Sequence, residues 1–217
     1  MRILSFIYYL ITSFRNFLYD KGILPAKKVS DVEVICIGNI TVGGTGKTPA
    51  VQYFTKKLQK MGRKVAVVSR GYRGKRKREP LLVSDGREIF ATTRESGDEP
   101  FIHALNLKVP VIVSSNRYKG CLFAKKHFGV DTIVLDDGFQ HRKLSRDRDI
   151  VLIDATNPFG WGELLPKGML REDFKKAAKR ASEFIITKSD LVSDREVERI
   201  KKYLRKKLEK EVSTAKH

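Results

Sequence analysis

Residues 36–49 read C-I-G-N-I-T-V-G-G-T-G-K-T-P. An apolar run stops at a glycine-rich turn, and the turn closes on Gly46-Lys47-Thr48. Successive backbone N–H groups converge on an anion only where no Cβ intervenes, and a helix starting there aims its positive end at the same point. Thr41, Val42, Gly43, Gly44, Thr45, Gly46, Lys47 and Thr48 therefore read as a loop wrapped around a phosphate chain. In that reading the Lys47 ammonium reaches the terminal phosphates and the Thr48 hydroxyl ligates Mg²⁺.

The strict pattern G-x-x-x-x-G-K-[ST] asks for glycine at position 41, where this chain has Thr41. V-G-G-T-G-K-T instead resembles a variant loop of many P-loop ATPases and GTPases. Several of those carry a dimer-bridging lysine where Val42 stands, so that role does not transfer. Around the loop, strand-like runs alternate with helical ones. VEVICIG (32–38), KVAVVSRG (64–71), PVIVSS (110–115), DTIVLDD (131–137), DIVLIDA (149–155) and EFIITKS (183–189) are apolar at nearly every position. Such runs suit strands buried on both faces of a parallel sheet. Helices are expected at about 47–61, 98–107, 117–128 and 173–182, with Gly62 where a C-cap glycine belongs. A last helix starts at Ser193 with Glu196 completing a capping box. It has an apolar stripe of Val197, Ile200, Leu204 and Leu208, and a face carrying Arg199, Lys201, Lys202, Arg205, Lys206 and Lys207. The predicted fold is α/β: a P-loop NTPase-like, doubly wound, mainly parallel sheet with helices on both faces.

The chain has 217 residues, 41% of them hydrophobic, enough for a substantial core. Its formal charge of +19 points to an acidic partner such as an anionic membrane surface or a phosphorylated substrate. Cys36 and Cys121 form no Cys-x-x-Cys pair, which argues against a zinc site or a disulfide framework. The basic helix at 199–210 lacks any nucleic-acid motif, and no nucleic acid is expected as a partner. No protein partner is inferred.

The opening MRILSFIYYLITSFRNFLYD is too short in its apolar part to span a bilayer, which takes about 20 residues. No small-x-small cleavage site follows it. Ile3, Ile7, Leu10, Phe14, Phe17 and Leu18 share one helical face. A helix lying in a membrane interface and a helix packed on the core by that face both fit.

Several strands end in acids or bases. DTIVLDDGFQHR runs into Asp136-Asp137 and turns at Gly138, and a carboxylate at the tip of a buried strand can anchor Mg²⁺. Arg70, Arg73, Lys75, Arg76, Lys77 and Arg78 follow another strand; a solvated charge run and a mobile anion-gripping loop both fit. Asp98 and Glu99 open a helix, as dipole partners or as a catalytic base beside a metal carboxylate. Thr187-Lys188-Ser189-Asp190 resembles the [NT]-K-x-D turn whose aspartate reads a guanine edge, and it also suits a plain strand-end turn.

Taken together, FRNFLYDKG, VGGTGKTP, SRGYRGK, SGDEP, NRYKG, DDGFQHRKLSRD and LLPKGMLRE resemble the tetraacyldisaccharide 4'-kinase family, from about Phe14 to Arg171. The resemblance implies an ATP- and Mg²⁺-dependent enzyme, peripheral on the cytoplasmic face of the bacterial inner membrane. It would phosphorylate the 4'-hydroxyl of an anionic glycolipid, a tetraacylated glucosamine disaccharide 1-phosphate. It implies Asp98 as general base, Lys47 and Asp137 as catalytic partners, and Thr48, Glu99 and Asp136 at the metal. Arg70, Arg73, Arg117, Gln140, His141 and Arg142 are the substrate-side candidates within those motifs. The implied organisation is an amphipathic membrane helix over 1–22, a kinase core over 30–192, and a basic helix over 193–217 leading to a further lobe. That family's histidine partner to the base lies in the further lobe, and no motif places His103, His127, His141 or His217 in its stead. The alternative is a P-loop GTPase of regulatory or metallochaperone type.

Overall fold

A computed structural model describes residues 1–216, apart from the side chain of Lys207; His217 lies outside the described residues. The chain divides into two compact units. Unit I comprises Ala26–Ile37 and Thr48–Asp147; unit II comprises Met1–Pro25, Gly38–Lys47 and residues 148–216.

In unit I, strands β1 (Glu33–Asn39, its last two residues in unit II), β2 (Val65–Ser69), β3 (Leu81–Ser84), β4 (Val111–Val113) and β5 (Thr132–Asp136) pair in the order β3-β4-β2-β5-β1. The pairings are parallel except β3–β4, which is antiparallel. Val67 and Ile35 both lie opposite Val134, and these three are buried together with Val68, Ile112 and Leu135. Continuous burial explains why these strands read as unbroken apolar runs. Helices α2 (Lys47–Lys60), α3 (Thr93–Ser96), α4 (Asp98–Asn106) and α5 (Arg117–Phe128) fill the crossovers. Asn116 caps α5 by accepting from Lys119 N–H at 3.3 Å, and Gly129 ends it in the left-handed region.

Unit II carries β6 (Arg148–Asp154), β7 (Glu183–Thr187) and β8 (Glu211–Thr214), parallel and in that order. Its helices are α1 (Arg2–Asp20), α6 (Phe174–Arg180) and α7 (Asp194–Leu208). On α7 the Ser193 half of the capping box is present, Oγ accepting from Glu196 N–H at 3.3 Å, while Arg199 takes the Glu196 carboxylate at 2.6 Å.

Helix α1 packs in reverse of an ordinary amphipathic helix. Ser5, Thr12 and Asn16 are its buried residues, whereas Ile3, Phe6, Ile11 and Phe14 are 76, 60, 63 and 64% exposed. The buried side is held by polar bonds. Ser5 Oγ donates to Leu164 O at 3.1 Å, Tyr8 Oη donates to Arg171 O at 2.7 Å, and Asn16 Nδ2 donates to Glu172 Oε2 at 2.8 Å. Arg180 also grips Glu172, which is 1% exposed. The apolar face is therefore not the one that packs against the protein. No described helix is long and apolar enough to cross a membrane.

Candidate functional site

In unit II the glycine loop is fastened on three sides. Val42 N–H donates to Met169 O at 2.8 Å, Asn39 Nδ2 donates to Thr45 Oγ1 at 2.9 Å, and Thr187 Oγ1 donates to Thr45 O at 3.0 Å. Gly43 and Gly46 take φ of 116 and 78°, a region that side-chain-bearing residues rarely adopt. Thr41 pairs with Leu170, and a Cβ built on Gly44 would meet nothing within 4 Å. The loop thus offers a rigid backbone with one open glycine side, which fits a polyphosphate. Lys47, at the first position of α2, is 8% exposed.

In unit I the acids gather at the end of β5. Asp136 is 1% exposed; its Oδ2 lies 3.3 Å from Ser69 Oγ and 3.3 Å from His103 Nε2. Its Oδ1 is buried with no protein partner among the described residues. A buried carboxylate oxygen left over in this way suits a cation and its waters. Asp137 stands at φ 50°, and its N–H donates to Ile37 O at 3.0 Å, which carries the parallel β1–β5 ladder one residue past Asp136 before the Asp-Gly turn. Phe139, fully buried, anchors that turn. Asp98 is exposed at the start of α4 and Glu99, half-buried, follows it. Among the described residues no three His, Cys, Asp or Glu side chains gather as a metal cluster. A nucleotide-borne Mg²⁺ needs only one or two carboxylates, because phosphates and waters fill its other positions.

Arg117 is the buried cation of unit I. It is 5% exposed, donates from Nη1 to Ser115 O at 2.9 Å, and keeps a buried Nε without a partner among the described residues. Burial and the neighbouring Arg70 push its pKa down, against the pull of Asp137, Cys36 and Asp136. His141 lies near the same charges. Burial, then Arg117, Arg146, Lys143 and Arg70, lower its pKa from 6.5 to about 4. Above pH 6.5 the ring is neutral in folded and unfolded chains alike. Between the two values the unfolded chain takes a proton that the folded one refuses, so this group's contribution to stability declines as pH falls from 6.5 toward 4. An NMR titration of the histidine ring protons should find His141 still neutral at about pH 5. Gln140 and Arg142 flank it in the loop after β5.

The backbone of the basic run 70–78 is not a loose tether. Lys75 N–H donates to Arg94 O at 2.8 Å, and a Cβ on Gly74 would stand 2.5 Å from Glu95 O. A Cβ on Gly97, at φ 88°, would stand 2.5 Å from Tyr72 O. Arg76 is taken up by Glu79 and by Gly71 O, leaving Arg70 and Arg73 exposed, the latter over the Tyr72 ring. Because the obstructing atom is backbone, Gly97→Ala is expected to lower unfolding free energy by more than about 2 kcal/mol, read from urea denaturation.

His103 and Ser69 are functional-looking residues that the motifs alone did not single out. His103 stands four positions after Glu99, on the same face of α4, a spacing that could have drawn attention to it. It serves Asp136, and the strand-end acid is thereby oriented from two elements.

A model of the tetraacyldisaccharide-1-P 4'-kinase family matches residues 1–217. Curated relatives named tetraacyldisaccharide 4'-kinase include those of Halothermothrix orenii and Elusimicrobium minutum. The first is 45% identical over 203 residues, covering 93% of this chain and 52% of its own. The second is 42% identical over 207 residues, covering 94% and 54%. The chain therefore spans about half the length of the curated relatives it matches. Among solved structures, the "apo" form LpxK from Aquifex aeolicus in complex with ATP superposes with a TM-score of 0.77. It has 43% identity and covers 84% of this chain and 56% of that one. FtsY from Mycoplasma mycoides is similar in fold alone, with a TM-score of 0.51 and 16% identity over 96% of this chain and 67% of that one.

Proposed function

From a chain that belongs to the tetraacyldisaccharide-1-P 4'-kinase family, we propose that the protein moves the γ-phosphate of ATP to the 4'-hydroxyl of a tetraacylated glucosamine disaccharide 1-phosphate. The observation that carries this reading is the fastened glycine loop closing on the nearly buried Lys47. Its amides and the Lys47 ammonium would hold the β- and γ-phosphates. Thr48, Glu99 and Asp136 would hold Mg²⁺, which neutralises charge on the transferring phosphoryl group. Asp98 would accept the proton of the attacking sugar hydroxyl, and an exposed carboxylate at a helix start is accessible to a bulky acceptor. Arg117, with Arg70 and Arg73, would meet the substrate's anionic groups, and Gln140, His141 and Arg142 would line the acceptor side. Asp137 would stabilise this arrangement through Arg117, which feels its charge. Purified protein given ATP, Mg²⁺ and the glycolipid should yield the 4'-phosphorylated product; absence of transfer by protein that binds ATP would refute the reading.

The same proposal places the protein peripherally on the cytoplasmic face of an inner membrane. Its support is α1, whose exposed residues are apolar while its polar ones are docked. Phe6→Glu with Phe14→Glu is expected to weaken cosedimentation with anionic lipid vesicles by at least about 10²-fold while leaving far-UV dichroism unchanged. Undiminished binding would exclude α1 as the contact.

A further inference from the structure

Trp161 is the chain's single tryptophan, and it stands 73% exposed. Its backbone lies in the left-handed region, φ 63° and ψ 13°, between Gly160 and Gly162 at φ 54 and 69°. A bulky residue is rare there, because its Cβ crowds the next carbonyl oxygen, and such strain persists only where the surrounding structure enforces it. The surroundings do enforce it. Gly162 N–H donates to Phe159 O at 2.8 Å, Met169 N–H donates to Gly160 O at 3.2 Å, and Gly168 N–H donates to Leu164 O at 2.9 Å. A Cβ on Gly160 would stand 2.9 Å from Thr41 Cγ2, and one on Gly168 would stand 2.2 Å from Glu163 O. The segment 159–170 is thus closed on itself and against the start of the glycine loop. Unit II accepts a strained backbone in order to hold an indole outward.

The neighbour of this segment is α1. Ser5 Oγ donates to Leu164 O at 3.1 Å and accepts from Lys167 N–H at 3.0 Å. Gly162, next to Trp161, lines a cavity of about 690 Å³ together with Phe6 and Tyr9 of α1 and with Phe159, Phe174 and Tyr203. Phe6 is 60% exposed, so the apolar surface continues from the cavity onto the outer side of α1. The acids at the cavity are engaged within the protein: Glu163 pairs with Lys167, and Asp173 caps α6 by accepting from Lys176 N–H at 2.8 Å. Arg2 and Lys175 line the same cavity and are exposed, so the surface is cationic as well as aromatic. An indole with an apolar body and an N–H tip, set beside long cationic stems, is the composition that settles at the headgroup level of an anionic bilayer. A protein partner would have to place acids against Arg2 and Lys175 and shape a socket for the ring. A leaflet of anionic lipid supplies both without any set geometry.

We propose that Trp161 is a second membrane anchor, its indole lying among the headgroups and upper chains of an anionic leaflet while Arg2 and Lys175 meet lipid phosphates. The proposal rests on the reading of α1 as a membrane contact, and it adds a point that α1 alone lacks. Gly160 packs on Thr41, and Val42 N–H donates to Met169 O at 2.8 Å, so an anchor on this segment holds the glycine loop at a set height over the leaflet.

A single tryptophan makes the test direct. The unmodified protein is mixed with vesicles of equal parts phosphatidylglycerol and phosphatidylcholine, and indole emission is followed. Binding is expected to shift the emission to the blue. Lipid chains brominated close to the glycerol should quench it at least about twofold more than chains brominated close to the methyl end. Trp161→Asn, a residue at ease in the left-handed region, should weaken cosedimentation by at least about tenfold while its urea midpoint stays equal or rises. Trp161→Phe should bind within about threefold of the unmodified protein. A merely structural Trp161 predicts the reverse, a lower midpoint for Trp161→Asn with vesicle affinity unmoved. That result would overturn the second anchor and leave α1 as the contact. So would emission that is neither shifted nor quenched on vesicles the unmodified protein binds, which would hand the ring to a protein partner. If the unmodified protein binds no vesicle at all, the α1 reading falls and this proposal falls with it.

Discussion

Lys47→Ala is expected to lower kcat/KM for phosphoryl transfer by at least about 10³-fold and to weaken Mg²⁺–ATP binding by about 10²-fold. The side chain is 8% exposed at the first position of α2, next to Gly46 at φ 78°. The side chain is thereby largely enclosed beside the loop rather than extended into solvent. A charge-assisted bond to phosphate is worth roughly 1.5–3 kcal/mol in the ground state, and more where charge builds during transfer. The loop keeps its shape in the variant, because its bonds to Asn39, Met169 and Thr187 involve other residues. Lys47→Met, which preserves the aliphatic volume, should show the same loss. Stopped-flow binding of a fluorescent ATP analogue, with a radiolabel transfer assay, separates the two effects. Transfer within about tenfold of the unmodified protein in both variants would rule Lys47 out as the phosphate cation.

How much of this was legible in the sequence follows from how each element is buried. The strands around β5 announce themselves because both faces are covered, so every position is apolar. Edge strand β3 does not, since Leu81–Ser84 is short, antiparallel and follows a basic run. In β8 only Val212 is buried, which leaves almost no pattern to read. The helical spacing of α1 was plain, whereas its orientation was not. Hydrophobic periodicity tells which residues share a face, but whether that face meets protein or lipid depends on distant partners such as Leu164 and Glu172. The glycine loop and the strand-end acids were visible because their chemistry is local to a short motif. The contacts His103–Asp136 and Thr187–Thr45 join residues 33 and 142 positions apart, and only the folded chain brings them together.

Asp98→Asn is expected to reduce kcat by about 10³-fold while KM for ATP stays within about threefold. Asparagine preserves the size of the side chain and its place after Gly97, so the opening of α4 and the packing of Gly97 against Tyr72 O are retained. What it removes is the capacity to accept a proton. General-base assistance contributes typically about 10² to 10⁴ in rate, and it acts on the acceptor hydroxyl rather than on the nucleotide, hence the separation of kcat from KM. A purely structural role at the helix start predicts a different outcome: the stability of α4 would fall with little change in turnover per folded molecule. Asp98→Glu restores a carboxylate at slightly longer reach and should recover part of the rate, whereas a dipole-partner role predicts recovered stability with no change in turnover. Full turnover by Asp98→Asn would end the base assignment, and would shift attention to water or Asp137 as the proton's first acceptor.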